Sequence, residues 1–215
     1  MQQLFNIDSK LMSMLSKFAD LFLLNLLTLV CSLPIITIGA SFTAMHTVLL
    51  AMRRQECESV FKTFFKSFLS NFRQSTVIWV LTLLYCSLIV FCIYMVGKKI
   101  IIVPAILTFF LYLSAVLMII SLSWVFILQC RYKNPIWATL KNAFFVGIAH
   151  LGHTIAMVAL FVCPFLVILA VPVAEPFILC LGFSCPGILQ TKIYGKVIDR
   201  IDQMIPNDEE LENCE

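Results

Sequence analysis

Long uncharged apolar runs alternate with short basic clusters along this chain, and that alternation is its dominant signal. A helix needs about 20 apolar residues to cross about 30 Å of hydrocarbon. The backbone finds no water to bond there, so each crossing must be helical. The first run begins near Phe18 and reads LFLLNLLTLVCSLPIITIGA, with Asp20 at its mouth and Asn25 within it. Pro34 and Gly39 break its regularity, and a further apolar stretch runs from Ser41 to Met52. This region reads either as one span plus an interfacial helix or as two short spans turning between Pro34 and Gly39.

A different pattern follows. In VFKTFFKSFLSNF, the apolar residues Val60, Phe61, Phe64, Phe65, Phe68, Leu69 and Phe72 recur at helical spacing. Lys62, Lys66, Ser67, Ser70 and Asn71 fill the opposite face, and Arg73 follows. Basic residues opposite an apolar face mark a helix lying in the bilayer interface, although the same face can pack on the protein's own spans.

Further spans are expected from about Ser75 to Val96, from Ile100 to Gln129, with a tilt or a bend near Pro104, and from His150 to Ala170. The amphipathic stretch IWATLKNAFFVGIAHL precedes the last of these, with Asn134-Pro135 starting its helix and Trp137 near its beginning. A final and weaker apolar stretch, Phe177 to Ile193, contains Pro186 and Gly187. The predicted fold is all-α: a polytopic transmembrane helical bundle of five spans, or six, with interfacial amphipathic helices. Residues 1–205 form one integral membrane domain, and residues 206–215 form an acidic tail. An amphipathic helix feeding a span occurs twice, with Lys62 and Phe65 echoed by Lys141 and Phe144. Internal repeats of this kind build many transporters.

Composition agrees. The 215 residues are 61% hydrophobic and 13% charged, with mean hydropathy +0.98, against about 25% charged residues in a soluble domain. Basic residues in short loops set orientation. Five spans leave Lys10, Lys17, Lys98 and Lys99 on the outer side. Six spans leave only Lys98 and Lys99 there, with both termini inside. The charge pattern prefers six. The first two spans would then have only about 16 residues each, short for a crossing, which tips the reading towards five. Either count puts Arg53 to Arg73, Arg131 to Lys141 and the C-terminus in the cytoplasm. The first apolar segment begins late and has no A-x-A-like exit, so it reads as an anchor rather than a cleaved signal.

Little in the chain points to catalysis. The nine cysteines include no C-x-x-C pair, and most lie in apolar runs as small hydrophobes. No phosphate-binding G-x-x-x-x-G-K-[ST] loop and no H-E-x-x-H occurs. Ionisable groups at membrane depth are functional candidates by default. Asp20 is one, although at a boundary a carboxylate stays hydrated. His150 and His153 share a helix face at i, i+3 and could bind a metal with His46, but no supporting carboxylate or thiolate has matching spacing. Gly39-Ala40-Ser41 invites comparison with intramembrane serine hydrolases. Phe42 stands where a glycine is expected, so Ser41 reads instead as the cap of a helix beginning after Gly39. No catalytic residue, cofactor or metal is assigned. The short membrane-adjacent basic runs suit anionic lipid headgroups rather than nucleic acid.

SLPIITIGASFTAM (residues 32–45) and FKTFFKSFLSNFRQSTVIWV (residues 61–80) resemble blocks of the YesL-type family of small bacterial integral membrane proteins, and ATLKNAFFVGIAHL (residues 138–151) looks like a third. The resemblance implies a multi-pass protein of the bacterial cytoplasmic membrane. It further implies a non-catalytic accessory or regulatory role linked to carbohydrate import, with an ABC permease, its ATPase or a sensor kinase as partner. The Phe61 to Phe72 helix and the Trp137 to Phe145 segment would offer the contact surface. A small transporter or channel is the alternative, and an intramembrane hydrolase built on Ser41 is a distant third.

Overall fold

The computed structural model describes residues 2–98, 104–170 and 182–204. These form seven helices and no strand: α1 (Gln2–Ser32), α2 (Ile38–Arg54), α3 (Val60–Gly97), α4 (Ala105–Arg131), α5 (Ile136–Ala149), α6 (Leu151–Ala170) and α7 (Ser184–Met204). The architecture is an all-α polytopic bundle, as the apolar runs predict. Residues 14–32, 35–54, 60–97 and 105–131 are each long and apolar enough to cross a membrane. α5 and α6 together make a fifth such segment, broken by a bend of 102°.

The first region is a helical hairpin, not one span plus a surface helix. Pro34 ends α1, and a single 3-10 turn, Ile35–Thr37, reverses the chain. The Thr37 hydroxyl lies 2.6 Å from the Cys31 carbonyl, an acceptor that the end of α1 leaves open, and 2.8 Å from that of Pro34. α2, which the single-span reading would leave at the surface, is instead the most enclosed element. It buries Gly39, Ala40, Ser41, Thr43, Ala44, Met45, His46, Val48, Leu49 and Leu50 among α1, α3, α4 and α7. Small side chains explain this, because they let neighbouring backbones approach closely. A Cβ on Gly39 would stand 2.8 Å from both the Ser75 carbonyl oxygen and Trp79 Cβ.

α3 corrects a second expectation. The amphipathic segment and the following span form one uninterrupted helix of 38 residues, about 57 Å long at 1.5 Å per residue. Its apolar stripe divides. Val60 and Phe64 are buried against α1 and α2, Phe65 and Phe68 are half-buried, and Phe61, Leu69 and Phe72 face outward. Ser67, expected on the wet side, turns inward instead. The internal echo is not matched in geometry, because the first copy is continuous and the second breaks at His150. Thr154 closes that break, its hydroxyl lying 3.0 Å from the Gly147 carbonyl and 3.1 Å from that of His150 while accepting from Trp124 Nε1 at 2.8 Å.

Pro104 precedes the first turn of α4 and bends nothing within the helix. Pro135 precedes α5, where the sequence placed a helix start. The acidic tail, residues 206–215, lies wholly outside the described residues, and the weak last stretch, Phe177 to Ile193, lies partly outside them. Its described part belongs to α7, which runs on to Met204 and carries Lys192, Lys196, Asp199, Arg200 and Asp202. α7 therefore ends in a charged surface rather than as an apolar crossing.

Candidate functional site

Three helix ends converge on a charged cluster. Arg53 and Arg54 close α2, Arg131 closes α4, and Asp199 and Asp202 lie one turn apart near the end of α7. Arg53 pairs with Asp199 at 2.6 Å, and Arg54 bridges Asp199 at 3.1 Å and Asp202 at 2.8 Å. Arg131 reaches Asp202 at 3.2 Å, and the Tyr132 hydroxyl donates to the same carboxylate at 2.6 Å. The hydrogen bond from Arg53 holds the Asp199 carboxyl below the usual carboxylate range, against partial burial and with help from Arg54. Burial alone would raise Asp202, but donation by Tyr132, Arg54 and Arg131 outweighs it, and the net shift is downward. Tyr132 shifts upward, through burial first and its bond to Asp202 second.

A polar seam joins α2 to α3 above this cluster. Thr43 and Thr47 donate to the carbonyls four residues back, at 2.9 Å each. Their single protons are thereby used, so Ser75 donates to Thr43 at 3.1 Å and Ser67 donates to Thr47 at 2.7 Å. Trp79 Nε1 completes the seam by donating to the Ile35 carbonyl at 2.7 Å, which fastens the α1–α2 turn to the middle of α3. Gln74 ties α3 to the α4–α5 connection, donating to the Asn134 carbonyl at 2.7 Å.

Asn25 is fully buried on α1, and its side-chain oxygen accepts from the backbone N–H of Phe183 at 3.0 Å and of Ser184 at 3.3 Å. It thus satisfies the open donors at the start of α7, which begins inside the bundle rather than at its edge.

Two cavities flank α2. One, about 380 Å³, lies between α2, α4, α6 and the start of α7. Phe42, Met45, Trp79, Phe126, Met157 and Phe161 form much of its wall, and His46, Ser123 and Gln190 are its polar members. The other, about 490 Å³, lies near the charged cluster, where Lys17, Asp20, Arg53, Glu58 and Lys192 line it with the start of α3.

A family model described as "Protein of unknown function, DUF624" fits residues 21–93. No curated protein and no solved structure matches the chain. The matched stretch runs from the Asn25 turn of α1 through the hairpin and α2 to near the end of α3. Two of the sequence blocks, residues 32–45 and 61–80, lie inside it; the third, residues 138–151, lies outside.

The residues singled out from sequence are scattered across this scaffold. Pro34 and Gly39 shape the hairpin and its contact with α3. Ser41 does not cap α2, which begins at Ile38. It sits inside the first turn and donates to the Thr37 carbonyl at 3.1 Å. Asp20 is half-buried beside the basic end of the molecule. Lys62, Lys66 and Arg73 are exposed along α3, and Lys62 makes only a loose 3.8 Å pair with Glu58. His150 and His153 do meet, with ring centroids 5.8 Å apart, and His150 also faces Trp124. His46 is engaged elsewhere, with Tyr194. Among the described residues no group of three or more potential ligands could hold a metal ion. The sequence marks Asn25 only as a polar residue within an apolar run, and it gives no sign of Asp199, Asp202 or Tyr194 as site residues. Their roles depend on partners far away in the chain, so local spacing carried no signal. Gln129 was missed too: both ends of its buried amide lack a partner among the described residues.

Proposed function

We propose that this multi-pass membrane protein is a non-catalytic accessory or regulatory subunit of a carbohydrate import or sensing system in the bacterial cytoplasmic membrane. The YesL-type resemblance supplies the carbohydrate link. The observation that carries the docking role is a basic and aromatic rim outside the packed core. Trp137 on α5 is 84% exposed and Phe61 on α3 55%, and Phe72, Lys62, Lys66, Arg73 and Lys141 also face outward. Large exposed aromatics among cations suit both a headgroup layer and the cytoplasmic edge of a permease, ATPase or sensor kinase. By contrast, the molecule's own carboxylates at the charged cluster are already paired with arginines.

A second reading, a small transporter, draws on α7, whose start lies inside the bundle beneath Asn25. Helices that begin at depth present backbone groups to substrates in many transporters. One pair of measurements separates the two. Purification in mild detergent from cells grown on an inducing sugar is expected to recover a permease, ATPase or sensor, with recovery falling about tenfold or more in a Phe61→Ala, Trp137→Ala double variant. Absence of any such partner, together with sugar uptake by liposomes holding the chain alone, would overturn the accessory reading in favour of the transporter.

A further inference from the structure

The cavity between α2, α4, α6 and α7 has a polar side whose hydrogen-bonding sense can be worked out proton by proton. Thr191 donates its only hydroxyl proton to the Gly187 carbonyl at 2.7 Å. In its 2.9 Å contact with Tyr194 it must therefore accept, and the Tyr194 proton goes to Thr191. Tyr194, with no proton left, accepts from His46 Nδ1 at 3.2 Å. A neutral imidazole that donates through Nδ1 presents a lone pair at Nε2. Gln190 follows the same logic. Its Nε2 donates to the Met157 carbonyl at 2.9 Å, which leaves Oε1 as an acceptor. Neither His46 Nε2 nor Gln190 Oε1 has a protein partner among the described residues, and both side chains line the cavity. Ser123 also lines it and has committed its proton to the Ile119 carbonyl at 2.8 Å. The polar side thus offers two acceptors, His46 Nε2 and Gln190 Oε1, against one spare donor, the second N–H of Gln190.

The rest of the wall is apolar, and its volume of about 380 Å³ falls within the usual range for small-ligand sites, about 300–1,000 Å³. Ile119 and Phe161 on the same wall are 50% and 43% exposed on the outer surface of α4 and α6. Those surfaces are apolar over nearly their full length, the character of a surface that faces hydrocarbon chains rather than water.

We propose that this cavity is a binding site for a neutral amphiphile from the bilayer, a single hydrocarbon chain ending in a hydroxyl group that donates its one proton to His46 Nε2 and accepts the second N–H of Gln190. Both acceptors belong to side chains that line the cavity, and a hydroxyl supplies a proton that His46 Nε2 can accept. A carboxylate would instead bring more lone pairs against lone pairs. The assignment does not depend on whether the chain serves a transport system.

The test uses the full chain in phosphatidylcholine nanodiscs with a photoactivatable diazirine analogue of hexadecanol and the matched analogue of hexadecanoic acid. Saturable labelling by the alcohol is expected on the peptides spanning residues 119–126 and 157–164, displaced by unlabelled hexadecanol. Half-saturation should move about fivefold higher in Gln190→Met, the loss of roughly one hydrogen bond. His46→Phe should act similarly, and Ser123→Phe, which fills the space, should abolish the saturable part. Gln190→Met leaves the His46–Tyr194–Thr191 chain intact, so it decides the matter if His46→Phe does not fold. Labelling that does not saturate and spreads over all exposed helices would overturn the site. Equal or preferential labelling by the acid would overturn its acceptor character.

Discussion

Asp202 gathers more partners than any other charged side chain described in the molecule. Arg54, Arg131 and Tyr132 all donate to a carboxylate that is 23% exposed. Removing it leaves Arg131 without its counter-charge and Arg54 with Asp199 alone. Asp202→Ala is expected to cost roughly 1–2 kcal/mol, between the worth of an exposed pair and that of a buried one, read as a lower Tm in detergent. The acid response follows from the lowered carboxyls of Asp199 and Asp202. A depressed folded value contributes stability that is present above the unfolded pKa, about 3.9, and is lost as pH falls through the folded value. Thermal stability should therefore drop below about pH 4, with a shallower drop in an Asp199→Asn, Asp202→Asn variant. An equally steep drop in that variant would remove the cluster from the explanation. The arginines were legible in the sequence as orientation markers, but their pairing was not, because the aspartates come from the other end of the chain.

At the scale of elements, the α2–α3 contact depends on the missing side chain at Gly39. An added methyl would meet a backbone oxygen of α3 and the root of Trp79, and neither can swing aside as a flexible side-chain tip would. Gly39→Ala should therefore separate the helices and weaken the Thr43–Ser75 and Trp79–Ile35 bonds. The expected cost is about 1–3 kcal/mol, as for other overpacked contacts. A Thr43→Cys, Ser75→Cys pair reports it: disulfide formation should be efficient when Gly39 is kept and poor when Gly39→Ala is added. Unchanged cross-linking would show that the seam has slack. The sequence marked Gly39 as a break in periodicity. What it did not disclose is that α2 lies at the centre, since a stretch rich in Gly, Ala, Ser and Thr has a weaker apolar signal than the Leu-rich runs that surround it.

For the molecule as a whole, α3 provides a ruler. The α1–α2 turn is pinned at Trp79, 18 residues before the end of α3 at Gly97, or about 27 Å short of it. Beyond that level α3 and α4 continue side by side with outward-facing Leu84, Leu88, Phe91, Phe109 and Tyr112. The most apolar window of α4 has no residue buried within the protein. An arm so apolar needs hydrocarbon around it. If the arm crosses the bilayer, the α1–α2 hairpin enters and leaves by one face without reaching the other. A membrane-impermeant maleimide should therefore label Cys57, kept as the sole cysteine, and a cysteine near the N-terminus from the same side. It should label Lys98→Cys from the opposite side and leave Ile35→Cys unreactive from both. Labelling of Ile35→Cys from the side that reaches Lys98→Cys would show that the hairpin crosses fully.

The sequence by itself determined that this is an all-helical membrane protein, where most helices lie, and which segments are basic. Those properties follow from local composition and periodicity, because hydrocarbon penalises every unpaired backbone group and every stray charge wherever the segment packs. Tertiary structure alone decided that the first region doubles back, that α2 is the core, that Ser67 points inward, and that Asn25 holds the start of α7. It also placed His46 and Gln190 on one cavity wall with their acceptors unmet. Each of these rests on side chains brought together from distant parts of the chain, where a small residue permits close approach or a donor requires an acceptor. Such pairings are set by the packing of helices and leave little periodic trace in any one of them.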